Sequence, residues 1–226
     1  MNLGSLRLRN SWLVMSPEQL QALEQLLWQL YKNLAAHALP FHGWAHICFV
    51  RKKAEEFAKR NGANLALVSA AALVHDLNYV AQRNSKPSDG SYLRGRLLAS
   101  VGVPRQIIER IESLIREAEL TTRGSKVSAE AAALSDADTL FKALPITPII
   151  LSRLFRDETG LSLADQARKI VGEQRPLIAN NTYFYDVEIE REYGDWARTN
   201  VMLWLYVIEC LRDPDVEELL AGLGVE

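Results

Sequence analysis

Residues 64–79, NLALVSAAALVHDLNY, constrain the fold of this chain more than any other stretch. Over 65–74 Leu, Ala and Val cover nearly every side of a helical wheel. A helix built from them has no polar face to turn to water and is expected at the centre of the fold. The run then ends in His75 followed directly by Asp76. Burying an ionised carboxylate beside an imidazole costs several kcal/mol or more unless something compensates it. A hydrogen-bonded core network or a bound metal ion would do so, and the rest of the sequence has to discriminate.

The other segments also read as helices. Ser16-Pro17-Glu18-Gln19 combines an N-cap serine, proline at the first helical position and glutamine three residues after the cap. Leu20, Leu23, Leu27 and Leu30 follow at helical spacing, in a helix expected to reach residue 38 before Pro40. A second helix is predicted over 44–60 with Asn61-Gly62 as its stop, and the central one over 64–79. AQRNSKPSDGS reads as a loop, after which Asp89 or Ser91 caps a helix through 100. Pro104 opens another helix to about 120, TTRGSK is a second loop, and Ser128 caps the helix that contains AALSDADTLFKAL. Pro145 and Pro148 mark a break. The expected organisation is a helical core over 1–145 and a C-terminal annex over 146–226, with helices near 148–156, 162–174 and 186–212. Alternating strand patterns and internal repeats are absent, so the expected fold class is all-α.

Composition excludes several function classes. The formal net charge of −2 gives no global attraction to nucleic acid or to an anionic membrane surface. MNLGSLRLRNSWLVMS is interrupted by Arg7, Arg9 and Asn10, unlike a secretory leader, and TNVMLWLYVIECL is too short to span a bilayer. Cys48 and Cys210, the two cysteines, form no disulfide framework and are expected as buried apolar fillers. A cytoplasmic protein fits these features.

The four histidines are His37, His42, His46 and His75. His42 and His46 are four residues apart in FHGWAHICFV, where Pro40 and Gly43 suggest a turn into a helix with His46 facing inward. SDADTL adds Asp136 and Asp138 to an otherwise Ala- and Leu-rich helix. Imidazole and carboxylate groups from three central helices would suit one hard or borderline divalent ion, Mn, Fe, Co, Ni, Zn or Mg.

The ordered set H…HD…D on an all-α core resembles the HD superfamily of metal-dependent phosphohydrolases. The resemblance covers roughly residues 16–145 and implies that His46, His75, Asp76 and Asp138 are the metal ligands. Asp138 is taken over Asp136 because it holds the Ala-Asp-x-Leu position. FHGWAHICFV is also similar to the Y-H-N-x-x-H pattern of the cyclic-nucleotide phosphodiesterase branch, in which the residue matching His42 protonates the leaving oxygen. Members with two metals carry further histidines on the helix after the first loop. Here that segment is IESLIREAEL, with Glu117 and Glu119, so one ion is expected. A metal-dependent oxygenase on the same fold is disfavoured by the histidine count.

A phosphohydrolase of this kind is expected to act on a small phosphorylated substrate, a nucleotide or other metabolite, through a metal-activated water that Asp76 or Asp138 orients. His42 is the expected proton donor, because imidazole titrates near working pH. Arg83 and Lys86, in the loop after the HD pair, and Arg94 and Arg96 beyond it are candidate phosphate ligands. A non-catalytic regulatory protein that keeps the fold and binds metal or a nucleotide is the alternative. A homo-oligomer is compatible with either reading, and nucleic acid and membrane are not expected partners.

Overall fold

A computed structural model describes residues 15–34 and 38–223, which contain helices and no strand. The all-α expectation holds. The chain divides into two compact units, Met1–Ala137 and Asp138–Glu226. The division falls inside a helix, eight residues before the expected boundary at 145/146.

The first unit begins with α1, Pro17–Asn33. Its capping box is formed as expected: Ser16 Oγ accepts from the Gln19 amide, and the Gln19 side chain accepts from the Ser16 amide. Leu23, Leu27 and Tyr31 are buried at i, i+4 and i+8. The helix stops at Asn33, short of the expected residue 38, and residues 35–37, with His37, lie outside the described residues. Helix α2, Trp44–Asn61, starts at Gly43 and ends at Gly62, as the sequence indicates. Gly43 is required by close approach, since a Cβ there would stand 2.5 Å from the Leu39 carbonyl oxygen. That turn delivers His46 into the first turn of α2.

Helix α3, Leu65–Val74, is capped by Asn64, whose side chain accepts from the Leu67 amide. Every residue from 67 to 74 is buried, and α3 packs against α1, α2 and α6 (Arg105–Glu117). A buried Leu or Val contributes about 1.5–3 kcal/mol relative to exposure, which makes this helix the apolar centre of the unit.

The expected single helix over 64–79 is instead two. His75 keeps helical angles, but Asp76 turns out of them at φ −98° and ψ 14°, and a new short helix α4, Leu77–Ala81, begins. Consecutive side chains on a regular helix point about 100° apart. The break removes that restriction where two polar side chains must converge.

Pro87–Gly90 forms a 3-10 turn held by Asp89, whose carboxylate accepts from the Lys86 amide. Asp89 therefore caps this turn rather than α5, Ser91–Ser100, which has no side-chain cap. Helix α6 buries Ile107, Ile111, Leu114 and Ile115 and ends at Glu117, before a 3-10 turn at Leu120–Thr122. Helix α7, Ala129–Ala143, opens with Ser128 Oγ accepting from the Ala131 amide.

In the second unit a π-helical turn, Thr147–Leu151, leads into α8, Ser152–Thr159. Helices α9, Leu163–Ala179, and α10, Val187–Cys210, pack on each other, and α11, Pro214–Gly222, is an element the sequence reading did not include. Tyr183 and Phe184 are buried edge to face, with the Tyr183 hydroxyl donating to Gln174, so this part of the aromatic run is packing. Both cysteines are exposed, which corrects the expectation of buried fillers. No helix among the described residues is long and apolar enough to cross a membrane.

Candidate metal centre

Three polar side chains from two helices meet in the first unit. His46, on the first turn of α2, is 3% exposed, and His75, at the end of α3, is 9% exposed. Asp76 follows at the break, its side chain 14% exposed. Oδ2 of Asp76 lies 2.9 Å from Nε2 of His46 and 3.2 Å from Nε2 of His75. The two Nε2 atoms are 3.4 Å apart.

The tautomer of His75 follows from its other nitrogen. Nδ1 lies 2.8 Å from the Ala72 carbonyl oxygen. A carbonyl only accepts, so Nδ1 carries the proton and donates, and Nε2 of the neutral ring keeps a bare lone pair. That lone pair faces a carboxylate oxygen and a second imidazole nitrogen. A proton on Nε2 of His46, a proton added to His75 or a metal ion would each join these electron-rich atoms.

The donor set fits a metal ion. Bonds of about 2.0–2.2 Å to nitrogen and oxygen, at tetrahedral or octahedral angles, hold neighbouring ligand atoms roughly 3.0–3.4 Å apart. The three separations fall in or beside that range, and the three residues form a compact His/His/Asp group. The Nδ1–H to carbonyl bond of His75 is also the usual way a ligand imidazole is oriented. Burial by itself raises the pKa of the Asp76 carboxyl. Positive charge on His75 when it is protonated, with hydrogen bonds from His46 and His75 and charge on His42, outweighs it and holds the carboxyl well below the usual carboxylate range.

Asp138, the expected fourth ligand, lies in the second unit, where its Oδ2 accepts from Lys142 Nζ at 2.7 Å, one turn along α7. Asp136 is a different case. Its carboxylate pairs with Arg123 at 2.7 Å, and both side chains are 1% exposed. Asp136 is part of a core ion pair.

His42 is buried beside the centre, its ring 5.7 Å from that of His46 in an edge-on arrangement. The His42 ring stacks face to face on Tyr79, with centroids 3.8 Å apart and planes 13° from parallel. The sequence reading did not give Tyr79 this role. Tyr79 lies three residues beyond Asp76, on the short helix that the break creates.

The candidate phosphate ligands divide. Arg83, Lys86 and Arg96 are exposed, and Arg96 lies over the Tyr92 ring while its Nη1 donates to the Tyr92 hydroxyl. Arg94 is not on a solvated face at all. It is 1% exposed, and its Nε and Nη2 donate to the two carboxylate oxygens of Glu112 at 2.6 and 2.7 Å. A guanidinium so engaged leaves only Nη1 for any other partner. Glu117 is occupied too, accepting from the Ser128 amide at 3.0 Å and the Ser113 hydroxyl at 3.2 Å.

Two solved structures share this architecture. A structural-genomics target from Lactobacillus plantarum, 19% identical, superposes with a TM-score of 0.63 over 87% of this chain and 96% of its own. Bacillus subtilis YpgQ, 20% identical, gives a TM-score of 0.56 over 88% of this chain and 97% of its own. At these identities the likeness shows a common all-α fold. No protein-family model matches the chain, and neither does any curated protein.

Proposed function

We propose that this chain is a metal-dependent phosphohydrolase of the HD type. In this reading His46, His75 and Asp76 hold one divalent ion, and Asp138 is the fourth ligand that the H…HD…D resemblance implies. The observation that carries the reading is the convergence of His46 Nε2, His75 Nε2 and Asp76 Oδ2 within 3.4 Å of one another, with the His75 ring oriented by the Ala72 carbonyl. The separations among these three atoms are those that ligands of one ion keep.

A divalent ion bound there would supply Lewis-acid polarisation of a phosphoryl oxygen and make water a stronger acid near neutral pH. Asp76, whose second carboxylate oxygen is not part of the three-atom group, orients the attacking water. The attacking water gives up one proton to solvent as its oxygen bonds to phosphorus, the ester P–O bond breaks, and the leaving oxygen takes its proton from the imidazolium form of His42. The stack on Tyr79 fixes the plane of that imidazole beside the centre. Arg83 and Lys86, exposed in the loop after α4, are the cations offered to the substrate phosphate.

The test is a screen of phosphomonoesters and phosphodiesters, nucleotides included, with the chelated protein and with Mn, Co, Ni, Zn or Mg restored. Turnover that requires metal and disappears in Asp76→Ala is the expected result. Metal-loaded protein that turns over none of them would establish the non-catalytic binding protein instead.

A further inference from the structure

The break after Asp76 is underlain by a buried assembly with no part in ligation. Gly90 sits directly against the backbone of Asn78, two residues beyond Asp76. A Cβ at position 90 would stand 2.7 Å from the Asn78 nitrogen and 2.9 Å from its Cα. Real Cβ atoms do not approach backbone this closely, and φ −83° and ψ −9° at Gly90 suit any residue, so glycine is required for proximity alone. The same Cβ would lie 2.6 Å from Nη1 of Arg94, so that guanidinium backs Gly90. Arg94 is in turn fixed by Glu112 on α6 through two charge-assisted bonds, and Ser91 accepts from its Nη2 at 3.2 Å. On its other side Asn78 donates from Nδ2 to the Ser85 carbonyl and hydroxyl oxygens, at 3.3 and 3.2 Å.

From this geometry we infer that Gly90, Arg94 and Glu112 form a clamp that positions the His75–Asp76 turn for metal binding. They are positioning residues, acting through the Asn78 backbone and touching neither the ion nor the substrate. Glu112 anchors Arg94, Arg94 holds the Gly90 turn down, and Gly90 presses on the peptide that follows Asp76. The inference rests on the metal reading above. It also reassigns Arg94, a candidate phosphate ligand by sequence, to holding the centre in shape.

A stability role and a positioning role separate by experiment. A buried ion pair replaced by apolar residues of similar volume is often neutral for stability. The double variant Arg94→Met/Glu112→Leu should therefore fold, as judged by circular dichroism and melting, yet bind metal more weakly. Gly90→Ala introduces the backbone clash directly, and Gly172→Ala, where a Cβ meets nothing within 4 Å, is the control. Each chelated protein is titrated calorimetrically with Mn2+ and with Ni2+, well below its melting temperature. Gly90→Ala and the double variant are expected to lose affinity by about 10- to 100-fold, as outer partners of metal ligands do, with Gly172→Ala unchanged. Should Gly90→Ala fail to fold, the double variant decides alone. If folded variants bind as tightly as wild type, the clamp is overturned and the metal reading stands. If wild type binds neither ion, the metal reading falls and the clamp's function falls with it.

Discussion

Nδ1 of His75 donates to the carbonyl oxygen of Ala72, three residues earlier on the same helix. This bond orients the ring so that Nε2 faces Asp76 and His46, the arrangement the proposed metal site requires. His75→Ala and Asp76→Ala are expected to abolish metal binding while leaving a helical protein, since each also removes the burial cost of a polar group. A ligand at 100 times its dissociation constant stabilises the native state by about 2.7 kcal/mol. Wild type should thus melt higher with metal, and the variants should show no shift. Variants that still bind as tightly as wild type would make the pair a core network.

His42→Ala should retain the ion and lose turnover by roughly two to four orders of magnitude. The loss should be greatest for alkoxide leaving groups and should shrink for an activated aryl phosphate, whose leaving oxygen needs no proton. Loss of metal together with activity would make His42 a ligand. Full activity on good and poor leaving groups alike would remove it from the reaction.

The two aspartates on α7 should behave oppositely. Asp136→Asn removes the carboxylate charge paired with the buried Arg123 guanidinium and should cost about 3–5 kcal/mol in denaturant unfolding, with metal affinity unchanged. Asp138→Asn gives up a partly exposed one-turn pair with Lys142, worth about 0.3–0.5 kcal/mol, and should instead weaken metal binding. Unchanged metal affinity in Asp138→Asn would contradict its role as the fourth ligand.

Helix periodicity, Ser16 and Ser128 as caps, and the burial of α3 were legible because each depends on neighbours close in sequence. The break at Asp76 was not. Leu77, Asn78 and Tyr79 continue a plausible helix, and only the Gly90 turn packed on Asn78, together with the convergence of His46 and Asp76, decides against it. Arg94 failed for a related reason. Its neighbours Tyr92 and Arg96 are exposed, and its burial depends on Glu112, which is 18 residues away on another helix. Local pattern indicates which residues are polar but does not say which of them a distant carboxylate will draw inside. The exposure of Cys48 has the same origin, because two sides of α2 are apolar in sequence while one of them meets packing helices.

Glu117 sets part of the acid limb of stability. Burial raises the pKa of its carboxyl, but the Ser128 amide and hydroxyl and the Ser113 hydroxyl outweigh that and hold it below its ordinary value. A carboxyl depressed in the folded state contributes stability that is complete above its unfolded pKa, about 4.3, and is lost as pH falls through the lower folded value. Glu117→Gln should therefore lower stability near neutral pH and flatten the decline in melting temperature on acidification. An acid limb identical to that of wild type would show that the bonds to Ser128 and Ser113 do not favour the ionised form.

The central claim is that His46, His75 and Asp76 are a metal centre, and counting metal in purified protein tests it most directly. Elemental analysis of the wild-type chain, alongside His75→Ala prepared identically, should find about one divalent ion per chain in the first and none in the second. No ion in wild type, together with no thermal shift on adding Mn, Fe, Co, Ni, Zn or Mg, would contradict the account.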